Sequence, residues 1–129
     1  MKTHRYDPVT GEGAIGVEFA GTAVTSGSSF PSVRQPQDAD AISRVFVDTD
    51  TNLNLQWSEG FYRGFFTLTI DPHSLNATYY AMRNISTPNL DAFVSARFIV
   101  EAGANKLKRP VGGGAESVKA GALKVNGTD

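Results

Sequence analysis

The chain has 129 residues, 40% of them hydrophobic and 19% charged, which suits one globular domain able to bury roughly two-thirds of its extended-chain surface. Twelve Lys and Arg against thirteen Asp and Glu leave a net charge of −1, so no bulk attraction to nucleic acid or to acidic membranes is expected. There are no cysteines, which excludes disulfides, thiol nucleophiles and thiolate metal sites.

Residues 1–13 are polar and turn-rich, punctuated by Asp7-Pro8 and Thr10-Gly11, and read as a leading loop. Their basic start is followed by no apolar core, so they do not read as a signal peptide, and the chain as written is expected to stay in the cytoplasm. No apolar run approaches the length needed to cross a membrane. Residues 14–103 read as the folded part. Ala14 to Val24 alternates, with Ile15, Val17, Phe19 and Ala23 on one face, and is expected to be an additional N-terminal strand. Gly16 and Gly21 within it suit positions that another backbone approaches closely.

Thr25 to Gln37 is a loop rich in Ser and Pro. Asp38 is an expected N-cap for a helix to about Val47, with Ala39, Ile42, Val45 and Phe46 as its inner stripe. The stretch from Trp57 to Met82 then reads as a β-hairpin. Tyr62, Gly64, Phe66, Leu68 and Ile70 share one face, with Arg63, Thr67 and Thr69 on the other. Asp71-Pro72-His73-Ser74 makes the turn, Pro72 suiting position i+1 and the Asp71 carboxylate able to accept backbone N–H groups. Alternation resumes with Leu75, Ala77, Tyr79 and Ala81.

A turn around Pro88 leads to a third strand, Leu90 to Val100, with Ala92, Val94, Ala96, Phe98 and Val100 on one face. Sequential strands joined by short turns pair with their neighbours. The expected fold is therefore α+β: an antiparallel meander with one packed helix, the N-terminal strand, and an irregular, flexible tail over residues 104–129.

Candidate chemistry is sparse. Asp48-x-Asp50-x-Asn52 with Glu59 at the twelfth position matches the oxygen-ligand spacing of an EF-hand loop. Leu53 stands where that loop needs glycine, and a strand follows where it needs a helix, so the segment reads as a solvated helix-to-strand connection. His4 and His73 sit in a loop and a turn without the convergent partners of a zinc site. Gly112-Gly113-Gly114 lacks the Lys-Ser/Thr pair of a phosphate loop. Lys106, Lys108 and Arg109 form a basic cluster without interleaved aromatics, which reads as a solvated charge run. Asn76, Asn84 and Asn126 open glycosylation sequons that matter only to a chain entering a secretory pathway.

Three phrases carry a family resemblance. They are YDPVTGEGAIGVEFAGTAVTSGSSF (Tyr6–Phe30), LNLQWSEGFYRGFFTLTI (Leu53–Ile70) and AFVSARFIVEAGANKLKRPVGG (Ala92–Gly113). In this order they resemble the C-terminal part of PhoD-like alkaline phosphatases, the most specific pieces being Gly16-Val-Glu-Phe with Thr25-Ser26, and Tyr62-Arg63-Gly64-Phe65. The resemblance implies a fragment of a larger two-sheet metallophosphatase fold, from enzymes that hydrolyse phosphate mono- and diesters and are generally periplasmic or secreted. It implies a divalent metal, calcium or iron, in the complete enzyme and none in this chain, because no segment here matches the family's upstream Asp and His metal boxes. The chain alone is then expected to be inactive, with no catalytic, cofactor or metal residue to assign. Glu18, Thr25 and Ser26 match the family phrase and are candidate rim residues, Glu18 being equally readable as a structural group paired in a sheet. The expected partners are the upstream metallophosphatase part or a second copy, and phosphate esters only in the complete enzyme. The alternative is a stand-alone β-rich module that binds carbohydrate or protein through Trp57, Phe61 and Tyr80.

Overall fold

The structure, a computed structural model, describes residues 5–24, 26–28, 30 and 32–124. Helix α1 (Pro36–Asp48) is followed by β1 (Trp57–Ser58), β2 (Arg63–Ile70), β3 (Ser74–Met82), β4 (Ala92–Glu101) and β5 (Ala122–Leu123). Strands β2, β3 and β4 form an antiparallel meander in chain order, and β1 pairs with β5 in a separate antiparallel ladder. The class is α+β, as the alternating segments and the helical stretch imply.

The hairpin forms where the alternation places it. Asp71 ends β2 by turning its carboxylate back: Oδ1 accepts the backbone N–H of His73 at 2.7 Å and of Ser74 at 2.9 Å. That fixes the register Ile70↔Leu75 and Phe66↔Tyr79. Gly64 is required by the pairing itself, since a Cβ there would lie 1.9 Å from the carbonyl oxygen of Tyr80. The core gathers on the face carrying Ala77, Tyr79, Ala96 and Phe98, with Val111 from the tail. Tyr79 sits among three rings: Phe66 stacked at 5.0 Å, and Trp57 and Phe98 edge-on at 4.9 and 5.7 Å. Each such contact contributes about 0.5–1.5 kcal/mol beyond the apolar area it buries.

Three expectations need correction. First, Ala14–Val24 is not a strand. It runs extended across the core face and pairs with no strand, because its anchors are side-chain contacts and not a ladder: Phe19 packs on Phe98 with ring centres 6.5 Å apart, and the Tyr79 hydroxyl donates to the Ala20 carbonyl at 3.0 Å. Ile15, read as an inward residue, is 97% exposed. Gly21 does meet a close neighbour, but it is the Phe66 ring, 2.9 Å from a built Cβ, while Gly16 has open space.

Second, the helix begins at Pro36, not Asp38, with Pro36 at its first position and no side-chain cap. Its buried stripe is Ala39, Ser43 and Val47, spaced i, i+4, i+8, while Val45 and Phe46 face outward. The small inner residues let α1 lie close on the β1–β5 ladder. Ser58 Oγ donates to Ser43 Oγ at 3.3 Å, Asp40 accepts the Gly121 N–H at 3.1 Å, and the Arg44 guanidinium and Lys124 ammonium reach the Leu123 and Val47 carbonyls.

Third, β4 does not keep one phase. Tyr79 opposes Ala96 but Tyr80 opposes Val94, so Ser95 is an extra residue in a β-bulge and its hydroxyl bonds the Tyr79 carbonyl at 3.3 Å. Beyond the bulge Phe93, not Val94, shares the face of Ala81. Phe93 meets Tyr62 edge-on at 5.1 Å and lies 4.6 Å under the Arg83 guanidinium.

The described part of the tail, 104–124, is largely irregular, as expected, and is packed on the fold. It covers the outer edge of β4 through a Val100–Leu107 bridge, the Lys108 N–H on Ile99 at 2.7 Å and the Lys119 N–H on Ser95 at 2.7 Å. It then supplies buried Val111, Ala120 and Ala122 and ends in β5. The Trp57 indole N–H bonds the Ala120 carbonyl at 3.0 Å.

Candidate functional site

A cleft of about 1250 Å³ opens between residues 11–22, the 50–59 connection and the start of β2. Its position follows from the failed strand: extended chain laid across a sheet, without backbone pairing, leaves space on either side of its anchors.

Arg63 is the central charge. It is 6% exposed, and its Nη1 donates to Thr22 Oγ1 at 2.7 Å and to the Gly27 carbonyl at 3.2 Å, while its Nε is buried without a partner among the described residues. Glu59 lies nearby and is capped by its own loop, its carboxylate accepting the N–H groups of Phe61 at 2.7 Å and Tyr62 at 3.1 Å. Burial raises the Glu59 pKa above its ordinary value against the opposing pull of those two N–H groups. Burial likewise pushes the Tyr79 phenol up to about 12, so it remains a neutral donor to Ala20.

A second cluster holds the leading loop. Arg109 Nη1 donates to Gln56 Oε1 at 3.0 Å, and Gln56 Nε2 donates to the Tyr6 hydroxyl at 3.0 Å. Arg109 Nη2 reaches the Pro8 carbonyl at 3.4 Å, and its Nε is buried without a partner among the described residues. Both arginines tie the N-terminal segment to the rest of the fold. A guanidinium hydrogen-bonded to neutral oxygens can hold a loop; neither arginine is set beside a nucleophile and base.

The residues singled out from the sequence fall apart in space. Glu18 lines the cleft but is exposed, and there is no sheet there for it to be paired in. Ser26 is exposed and outside the cleft lining, and Thr25 lies outside the described residues, as do His4 and Asn126. Asn76 is half-buried in β3 with its amide on Ser74 Oγ at 3.0 Å, and Asn84 caps the next turn through the Ser86 N–H at 2.8 Å. The EF-hand-like spacing is spent otherwise: Asp48 faces Arg44 at 3.9 Å and Glu59 binds its own loop. His73 is exposed in the hairpin turn. Among the described residues no three His, Asp or Glu side chains gather as cation ligands, and no helix is long and apolar enough to cross a membrane. In the basic cluster Lys106 pairs with Glu12 and Lys108 with Glu101 at 2.8 Å.

Arg63, Gln56 and Arg109 were not legible as site residues. Period-two reading puts Arg63 on a polar face with Thr67, and nothing local marks Gln56. Besides its place in the family phrase, the local signal was Arg63 standing inside an aromatic run, where a charge must find partners. No family model, curated protein or solved structure matches the chain.

Proposed function

We propose that this chain is the C-terminal part of a PhoD-like alkaline phosphatase, serving phosphate-ester hydrolysis in the complete enzyme while supplying no metal ligand itself. The supporting observation is convergence. The three phrases that resemble the family are separated in sequence yet meet at one cleft, with Glu18 and Thr22 from the first, Gln56 and Arg63 from the second, and Ser95 and Arg109 from the third. A divalent metal, calcium or iron, then belongs to the upstream part. The reading is tested by assaying the purified chain on a chromogenic phosphate ester with calcium, iron, zinc or manganese. No turnover is expected. Metal-dependent turnover that a substitution within this chain abolishes would refute it.

A second reading, a stand-alone binding module, has one observation in its favour and one against. Phe65, 46% exposed, stacks on Tyr80 at 5.1 Å and 19°, giving the outer sheet face a flat apolar platform. Trp57, however, is committed to the core, and Phe61 packs edge-on against Tyr62 at 5.0 Å. Loss of oligosaccharide binding in Phe65→Ala, read by calorimetry, would favour this module; no binding in the parent chain disposes of it.

A further inference from the structure

The two edges of the three-stranded sheet differ in cover. The β4 edge is occupied by residues 107–119, as described above. Strand β2 forms the other edge, and among the described residues its backbone bonds only to β3. Which groups are free follows from the hairpin. The Asp71 N–H bonds the Ser74 carbonyl at 3.0 Å, so Asp71 faces β3. Facing alternates along an antiparallel strand, so Thr69, Thr67 and Phe65 also face β3. The N–H and C=O of Phe66, Leu68 and Ile70 therefore point away from the sheet.

Those residues lie in GFFTLTI, seven positions without a charge or a proline. Exposed edges are ordinarily blunted by Lys, Pro, a bulge or a covering loop; among the described residues β2 has none of these, and Leu68 and Ile70 are 46% and 69% exposed. The bulge of this sheet is in β4, away from the free edge.

We propose that β2 is a self-pairing surface, and that two copies of this chain join their β2 edges antiparallel about Leu68 into one continuous six-stranded sheet. The occupant is a second copy because the edge complements itself. With Leu68 opposite Leu68, Phe66 falls opposite Ile70 and Thr67 opposite Thr69. The free backbone groups of 66, 68 and 70 then meet their counterparts as hydrogen-bonded pairs. Apolar residues meet on the core face and threonines on the other, and no like charges are opposed. The contact is two-fold and consumes both free edges, so it closes at the dimer.

Sedimentation equilibrium of the full chain tests this, together with two variants. Leu68→Pro removes an N–H that points out of the sheet, leaving the β2–β3 ladder its own bonds. Ile70→Lys adds a charge on the free edge without touching the backbone. The parent chain should fit a concentration-dependent dimer, and both variants should sediment as monomers with unchanged far-ultraviolet circular dichroism. Because the chain has no cysteine, Leu68→Cys carries a single thiol. Facing hydrogen-bonded residues are about 5.5 Å apart at Cα, within disulfide reach, so mild oxidation should link this variant to itself and leave an Ile85→Cys control uncrosslinked. A parent chain monomeric throughout would overturn the proposal. So would a dimer that survives Ile70→Lys, or equal crosslinking of the two cysteine variants.

Discussion

Residues 14–24 and 74–82 both alternate apolar and polar residues, and only the second becomes a strand. β3 has a partner on each side, delivered by a three-residue turn and by the 83–91 loop, so its backbone groups are satisfied by local chain. The 14–24 segment has no neighbour in sequence to pair with. It is held instead by discrete anchors, Phe19 on Phe98, Ala20 under the Tyr79 hydroxyl and Thr22 on Arg63. Alternation thus reports which side chains face the core; it does not report whether a ladder forms. The functional consequence is that the cleft lies beside the anchored segment, where backbone pairing is missing.

The two regions meet at the Phe19–Phe98 contact, and each can be cut there. Phe98→Ala, in β4, should lower unfolding stability by about 3–5 kcal/mol, because a buried aromatic leaves a cavity among Tyr79, Trp57 and Val111. Phe19→Ala removes the other side of that contact from a half-buried ring and should cost well under half as much. Urea titration of both variants checks it, and equal losses would mean that 14–24 is as integral as the sheet.

A smaller effect comes from the register of β2. Phe66→Asp puts a carboxylate against the Tyr79 ring and gives up roughly 2–3 kcal/mol of apolar burial, with desolvation in addition. Thr67→Asp on the opposite, exposed face should stay within about 0.5 kcal/mol. Melting temperatures of the two variants decide it.

Arg63→Ala should loosen the anchored segment specifically. Hydrogen bonds to charged groups contribute about 1.5–3 kcal/mol. The expected outcome is faster amide exchange over residues 20–24 with little change in β3; uniform acceleration across both regions would remove the distinction.

The smallest effect is in pH dependence, where two carboxylates act with opposite sign. Glu59 has a raised native pKa, caused first by burial, so the native state holds its proton more tightly than the unfolded chain. Its contribution is present at acidic pH and is lost as pH rises from about 4.3 through the raised value. Asp71 has a lowered native pKa because the His73 and Ser74 N–H groups bond its carboxylate. Its contribution is present above about 3.9 and is lost as pH falls through the lowered value. Glu59→Gln should abolish the decline above 4.3 and leave the acid-side loss intact, as measured by unfolding midpoints across pH 2.5–7 at about half-unit steps.

Local chemistry was legible in the sequence and long-range chemistry was not. The Asp71 turn could be read because its donors lie two and three residues away. The meander could be read because its connections are short. The Ser95 bulge was invisible, since an inserted residue leaves ordinary-looking alternation on both sides. The packing of the tail was not legible because its buried residues, Val111, Ala120 and Ala122, are too sparse to set a period, and glycine dominates between them. Arg63 and Arg109 acquire their roles from Thr22 and Gln56, 41 and 53 positions distant.

The proposal that this chain completes a PhoD-like enzyme can be checked by complementation. A PhoD-like metal-bearing part lacking its own counterpart of residues 6–113 is mixed with this chain, and metal-dependent hydrolysis of a chromogenic phosphate ester is followed. Turnover absent from either part should appear in the mixture and co-migrate with a complex of the two in sizing. Stable separation of the parts, with no turnover at any ratio, would contradict it.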